Sequence, residues 1–166
     1  MTATLLQTQR SSHPVDIVEN LAMLNDWSFE RSAEDEISIS VSGGWTDYNV
    51  TINWQDDLET LHLACMFELR VPDVRVDEAY RLIAQINEQL WIGHFDLWSR
   101  EGALMYRHGQ LFVGGSDPTA EQCEALMQTA IETCERYYQS FQFVLWAGKA
   151  AEQALEASLF ETVGQA

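Results

Sequence analysis

Three consecutive segments in which apolar and polar residues alternate place the strongest constraint on how this chain folds. Their apolar members are Ile37, Ile39 and Val41 in the first segment, Tyr48, Val50, Ile52 and Trp54 in the second, and Leu61, Leu63, Cys65, Phe67 and Leu69 in the third. A period of two is that of a strand with one buried face. Gly43-Gly44 and Gln55-Asp56-Asp57 supply turns between the segments. We therefore predict an antiparallel meander whose apolar face is covered by helices.

Apolar residues three and four positions apart predict helices around this meander. In chain order, the predicted elements are a helix from Pro14, the three strands, a helix over about residues 76–90, strands over about 95–98 and 103–113, and a helix over about 119–146. A short strand near residues 27–29 and a short amphipathic segment over about 150–160 accompany them. The predicted fold class is α+β, with an open antiparallel sheet packed by helices on one side, in the order α-β-β-β-α-β-β-α.

The length of 166 residues fits a single domain, which we place at residues 14–161. Residues 1–13 are expected to form a disordered leader, since they lack the apolar stretch of a secretory signal. Residues 162–166 are expected to form a loose tail. No run approaches the roughly 18 apolar residues of a membrane span. The three cysteines have no CxxC spacing, which is typical of buried thiols in a reducing compartment and predicts a cytoplasmic protein.

The longest predicted helix has an apolar row that repeats every seven residues. Its members are Cys123, Met127, Ala130, Cys134, Tyr137, Phe141 and Val144. Such a row is found in a helix that lies across a sheet and also in a coiled-coil dimer. We favour the helix across the sheet and keep the coiled coil as the alternative.

The chain is strongly acidic, with 26 acidic residues against 9 basic ones and a net charge of −17. A field of this sign repels nucleic acid and disfavours anionic membranes. It attracts a basic partner or a basic segment of one, although an acidic surface also serves simply to prevent self-association. We expect a protein partner that offers basic or apolar segments, no nucleic acid and no membrane.

Residue patterns that would support catalysis or metal binding are missing from the sequence. The four histidines, His13, His62, His94 and His108, lack the spacing of a metal site. The acidic clusters at residues 34–36 and 56–57 fall in predicted turns. No serine lies in a GxSxG motif. We therefore predict a protein that is not an enzyme and has no metal, cofactor or catalytic residue.

Two aromatic-rich segments, residues 90–98 and 134–146, contain eight of the chain's eighteen aromatic residues. Large rings anchor both protein cores and protein–protein interfaces. The predicted protein-contact residues are Trp91, Phe95, Trp98 and Trp146. The alternative is that these rings pack in the core between the helices and the sheet, and both roles can coexist.

Three motifs resemble those of the YbjN family of bacterial sensory transduction regulators. They are LWIGHFDLW at residues 90–98, followed by Glu101-Gly102, then FELRVP at 67–72 and FQFVLWAGK at 141–149. The resemblance extends over about residues 14–161. It implies a fold like that of the type III secretion chaperones, which are usually acidic homodimers that hold extended segments of client proteins. The family has no established catalytic residues, so the resemblance assigns none here.

The leading hypothesis is a cytoplasmic, non-enzymatic regulator or chaperone-like adaptor. It would act through protein–protein contacts, as a homodimer, in bacterial signalling or stress regulation. The alternative is a small-molecule sensor with a pocket between the sheet and the long helix. A third hypothesis is an enzyme whose polar groups converge only in the folded protein.

Overall fold

An antiparallel six-stranded sheet forms the centre of the structure, a computed structural model that describes residues 10–163 and the side chains up to Leu159. Its elements in chain order are α1 (Pro14–Leu24), β1 (Ser28–Ala33), β2 (Glu36–Ser42), β3 (Asp47–Gln55), β4 (Thr60–Arg70), α2 (Val76–Asn87), β5 (His94–Trp98), β6 (Ala103–Leu111), α3 (Ala120–Leu145) and α4 (Ala151–Val163). The strand order is β1-β2-β3-β4-β6-β5, and each neighbouring pair is antiparallel.

One row of side chains crosses the covered face of the sheet. Ile39, Val50, Cys65, Tyr106 and Phe95 stand opposite one another on β2, β3, β4, β6 and β5. Each is at most 1% exposed. The helices pack on this face, since α1 contacts β2 and β3, α2 contacts β5, and α3 contacts β4 and β6. The α+β class and the open antiparallel sheet packed on one side are thus confirmed.

Two elements extend the predicted order α-β-β-β-α-β-β-α. β1 pairs with β2 as a full strand, although only a short strand near residues 27–29 was expected. Its sequence, SFERSA, carries one large apolar residue, because an edge strand with little buried surface needs no alternating apolar pattern. α4 follows α3 and packs against it and against α2. It covers the short amphipathic segment expected over about residues 150–160 and extends to Val163.

α3 lies across the sheet, as favoured from its seven-residue apolar row. All seven members of that row, which runs from Cys123 to Val144, are buried, and none is more than 5% exposed. The row therefore has no exposed surface with which to form the alternative, a coiled-coil seam. α3 begins with a reciprocal capping box in which Thr119 and Gln122 bond each other's backbone amides. Across residues 10–163, no helix is both long and apolar enough to cross a membrane.

Three phenylalanines from β4, β5 and α3 form the centre of the core. The ring centroids lie 5.8 Å apart for Phe67 and Phe95, 5.2 Å for Phe95 and Phe141, and 5.8 Å for Phe67 and Phe141. Tyr106 and Tyr137 approach Phe95 edge-on at 5.7 Å and 5.9 Å. Tilted and edge-on ring pairs are the favourable arrangements for aromatic quadrupoles. We call these five residues the aromatic cluster.

The position of Phe95 corrects its prediction as a protein-contact residue. Its side chain is 1% exposed, since odd-numbered residues of β5 point toward the helices while His94, Asp96 and Trp98 point to the open face. A ring enclosed by four other aromatic side chains cannot reach a partner. Phe95 therefore belongs to the core, which was the alternative that the sequence left open.

The expected leader and tail are only partly covered by the described residues. Residues 1–9 and 164–166 lie outside them. Arg10 contacts the end of the sheet: its guanidinium lies 4.4 Å from the centre of the Trp54 ring, donates to the Phe112 carbonyl at 2.8 Å and pairs with Glu59 at 2.9 Å. The first described residue of the expected leader thus packs against the domain, and α4 continues to Val163 within the expected tail.

Replacing Phe95 with alanine should lower the free energy of unfolding by about 3–5 kcal/mol, because the change opens a cavity at the centre of the aromatic cluster. Trp91→Ala, which removes an exposed ring of the same segment, is the matched control and should change it by less than about 0.5 kcal/mol. Equilibrium urea denaturation measures both. Equal effects of the two substitutions would contradict the assignment of Phe95 to the core.

Candidate functional site

The three remaining tryptophans predicted as contact residues are exposed, but they do not form one patch. Their exposed fractions are 101% for Trp91, 49% for Trp98 and 66% for Trp146. Trp91 lies in the loop between α2 and β5, Trp98 ends β5, and Trp146 follows α3. At about 3.3 Å per residue, β5 separates its two ends by roughly 13 Å. Trp91 and Trp98 therefore lie at opposite ends of this strand.

Trp98 and Trp146 lie at the same end of the domain, near the start of α2. Two hydrogen bonds establish this: the Tyr80 hydroxyl donates to the Leu97 carbonyl at 3.3 Å, and Arg75 Nε donates to the Val144 carbonyl at 2.8 Å. The other end of α2 lies beside the start of β5, where Asn87 bonds Phe95, and Trp91 belongs to that end of the domain. The sequence-predicted contact residues thus divide between two ends of the molecule.

The loop that carries Trp91, residues 88–93, is fixed by the residues on both sides of it. We call it the tryptophan loop. The buried Tyr106 hydroxyl donates a hydrogen bond of 2.6 Å to the carbonyl of Ile92. Gly93 adopts φ +68°, and a Cβ at this position would lie 2.3 Å from the Tyr106 hydroxyl oxygen. Only glycine combines this backbone conformation with such a close approach.

The outer edge of β5 is capped by side chains. Asn87, the last residue of α2, donates to the Phe95 carbonyl at 3.1 Å and accepts from its N–H at 2.8 Å. The Leu97 carbonyl accepts from Tyr80, and the Leu97 N–H donates to Asp96 Oδ1 at 2.9 Å. An uncapped edge strand offers these groups to other chains. Asn87 therefore both closes this edge and holds the end of the tryptophan loop.

An exposed tryptophan on a fixed loop is well suited to anchor a binding partner. Trp91 has no aromatic or cation contact among the described residues. Burial of its ring in a complex would remove a large apolar area from water. Because the loop is already held by Asn87, Tyr106 and Gly93, binding costs little additional ordering of the backbone. Tryptophan is also among the residues that contribute most to protein–protein affinity.

The three cysteine thiols are buried and unbridged. Cys65 and Cys134 lie buried with their sulfur atoms 3.6 Å apart, and burial together with the neighbouring Cys65 thiol raises the pKa of Cys134. Burial also raises the pKa of Cys123 to about 11. Cys123 and Cys134 are therefore protonated near neutral pH and are poor nucleophiles. The described residues contain no cluster of three His, Cys, Asp or Glu side chains that could hold a metal ion.

His62 takes part in a polar chain on the open face of the sheet. Arg107 Nε donates to His62 Nε2 at 3.3 Å, and the Arg107 guanidinium pairs with Asp96 at 3.1 Å. Burial lowers the pKa of His62, and the positive charge of Arg107 lowers it further. The neutral imidazole is the form that can accept this hydrogen bond. The chain thus links β4, β6 and β5 on the face that no described helix covers.

The space between the sheet and α3 is occupied by the aromatic cluster. Two hollows lie at the surface instead. One, of about 280 Å³, borders Asn49 and Met66, and the other, of about 380 Å³, lies between residues 70–73 and 99–102. Neither hollow lies where the sensor hypothesis places its pocket. The feature best suited to a specific contact is therefore the tryptophan loop.

The fold and the site define a small α+β protein with an open antiparallel sheet and a fixed loop that presents a tryptophan. The sequence matches the model of the YbjN family, described as "Putative bacterial sensory transduction regulator", over residues 14–143. The chain belongs to the YbjN family. The family resemblance is thereby confirmed over residues 14–143, which include the motifs at 67–72 and 90–98, whereas most of the motif at 141–149 lies beyond the matched residues.

Two solved structures share this fold. A crystal structure of the ExsC–ExsE complex aligns with a TM-score of 0.57 and 18% identity, covering 78% of this chain and 94% of that chain. The crystal structure of YbjN from E. coli aligns with a TM-score of 0.54 and 13% identity, covering 89% and 93%. Likeness at these identities concerns the fold, and it confirms the expected type III secretion chaperone-like architecture. No curated protein matches the sequence.

Tyr106→Phe should loosen the tryptophan loop without unfolding the domain, because it removes one hydrogen bond worth about 1 kcal/mol and leaves the ring in place. Hydrogen exchange followed by mass spectrometry should show faster exchange in residues 89–94 and unchanged exchange in β3. Val50→Ala truncates another buried member of the same row, two strands away on β3; it is the control and should not alter the loop selectively. Unchanged loop exchange in Tyr106→Phe would mean that the hydroxyl does not hold it.

The same tyrosine should make the protein sensitive to alkali. Burial raises the pKa of Tyr106 from 10.0 to about 12. The unfolded chain therefore ionises first, so stability falls as pH rises from about 10 to about 12. Over this range the wild type should lose about 2–3 kcal/mol more than Tyr106→Phe. Denaturant titrations at each pH measure the difference, and parallel curves for the two proteins would refute it.

Proposed function

We propose that this protein is a cytoplasmic, non-enzymatic regulator or chaperone-like adaptor that binds partner polypeptides, with Trp91 as an anchor. The observation that carries this proposal is the complete exposure of Trp91 on a loop fixed by its neighbours. Because the backbone of this loop is already ordered, a partner that buries the ring gains apolar area at little further ordering cost. Trp98 and Trp146 are proposed as further contact residues at the other end of the domain.

The comparisons support an interaction role at a coarse level. The family description is that of a sensory transduction regulator, and one protein of similar fold was crystallised in a complex with a second protein. Fold likeness alone does not transfer a partner. The partner, the pathway and the homodimer expected from the resemblance therefore remain parts of the proposal.

The charge of the chain supports a partner with basic character. A net charge of −17 accelerates the approach of a positively charged segment and repels other acidic proteins. The buried free thiols Cys65, Cys123 and Cys134 support a reducing compartment. We prefer the adaptor to the small-molecule sensor, because the aromatic cluster fills the space that a sensor pocket would need.

Site-specific photo-crosslinking tests the role of Trp91. The photoreactive amino acid p-benzoylphenylalanine is placed at position 91, and at position 24 as a control, because Leu24 is 83% exposed at the end of α1. Irradiation of bacterial cells that produce the full chain should yield discrete polypeptide adducts from position 91 alone. Mass spectrometry of the adducts then identifies the partner.

Competition in lysate gives the quantitative arm of this test. Excess wild-type protein should suppress the adducts at position 91, whereas Trp91→Ala should be about tenfold or more weaker as a competitor, as expected for an interface anchor. Leu24→Ala should compete like the wild type. Equal competition by Trp91→Ala, or the same adducts from position 24, would overturn the proposed role of the loop.

A further inference from the structure

We infer that β1 is the edge at which this protein adds an extended partner segment as a seventh strand, and that this segment alternates apolar residues with lysine or arginine. The inference rests on the proposed function and specifies the chemistry of the partner. It starts from a difference between the two edges of the sheet. An open sheet has two edges, and each can pair with another chain through its backbone groups.

The edge formed by β5 is closed to such pairing. Both backbone groups of Phe95 are bonded to Asn87, and those of Leu97 are bonded to Tyr80 and Asp96. An incoming strand would have to displace these three side chains to pair with both residues.

The edge formed by β1 has no equivalent caps. β1 pairs with β2 from Ser28↔Ser40 to Ala33↔Glu36. Within residues 10–159, the only side chain that bonds a β1 carbonyl is Arg31, whose Nε donates to Ala33 at 2.8 Å. Between Ser28 and Glu30 the outward backbone groups have no described partner, so they are available to a strand that pairs there.

The two faces of β1 select opposite kinds of side chain. Phe29 stands opposite the buried Ile39 on the covered face and is itself half-buried. An apolar side chain on an added strand would cover it further. Glu30 is exposed on the open face, where a cross-strand lysine or arginine would pair with it. Successive side chains of a strand point to opposite faces, so a segment that suits both faces of β1 alternates apolar and basic residues.

The charge around this edge distinguishes a basic segment from a second copy of the chain. Glu30, Glu34 and Asp35 are exposed there. The cation of the strand, Arg31, is already paired with Asp16 and Glu19, each at 3.0 Å. Pairing of β1 with its own copy would bring two such acidic edges together, which like-charge repulsion disfavours. A basic segment gains from the same field.

A synthetic probe tests the inference directly. A fluorescein-labelled peptide of alternating valine and lysine, seven residues long, is titrated with the full chain and followed by fluorescence anisotropy. The control peptide has the same sequence and charge, but every backbone amide is N-methylated, so it cannot form a ladder on either side. We expect at least tenfold weaker binding of the methylated peptide. Equal binding of the two peptides would mean that charge attraction alone accounts for binding, and it would overturn the inference.

Two protein variants and one structural readout complete the experiment. Glu30→Lys should weaken binding of the unmodified peptide about three- to tenfold, because it reverses a cross-strand charge pair. Glu124→Lys makes the same charge change on exposed α3 surface and should cause a clearly smaller loss. Hydrogen exchange in residues 28–31 should slow when the peptide binds. Equal losses in the two variants, or unchanged exchange at β1, would also overturn the inference.

These outcomes separate the inference from the proposed function. Crosslinks at Trp91 with no peptide effect at β1 would leave the adaptor role standing and refute the strand-addition edge. Peptide binding at β1 without crosslinks at Trp91 would support the edge and refute the role of the tryptophan loop. If a second copy occupied β1, light scattering would show a dimer whose formation Glu30→Lys changes and Glu124→Lys does not, and that result would overturn the inference.

Discussion

The packing of Phe95 against Phe67 and Phe141 is the interaction on which the rest of this structure depends. It joins the last strand of the meander, the edge strand β5 and the long helix α3 through rings 5.2–5.8 Å apart. β5 pairs with a single strand, β6, so its position depends heavily on this contact. Asn87 bonds Phe95 itself, so its hold on the end of the tryptophan loop depends on the fixed position of this residue.

The sequence predicted those strands and helices in which buried residues recur at a regular spacing. The alternation of residues 48–54 and 61–69 is the burial pattern of β3 and β4, and the seven-residue row of α3 faces the sheet as favoured. β1 gave little signal, because a half-exposed edge strand tolerates polar residues on both faces. The capping of β5 by Asn87 had no local signal at all, since it joins a helix end to a strand seven residues further along.

The aromatic segments show why composition alone could not separate core from surface. Phe95 and Trp98 are three residues apart in the same strand, yet one is 1% exposed and the other 49%. Alternate residues of β5 face opposite sides of the sheet, which accounts for this difference. Which residues face the helices is set by the register in which β5 pairs with β6. For Trp91 the decisive feature is Gly93, whose left-handed conformation ends the loop and turns the chain into the strand.

The two edges of the sheet suggest how one small domain can be selective without an enclosed pocket. Backbone pairing provides affinity but little discrimination, since every polypeptide offers the same groups. Closing the β5 edge with Asn87, Tyr80 and Asp96 removes one of the two places where indiscriminate pairing could occur. In the strand addition proposed for β1, acidic side chains would favour partners of opposite charge over further copies of the chain itself. Specificity would then follow as much from the edge that is blocked as from the edge that is open.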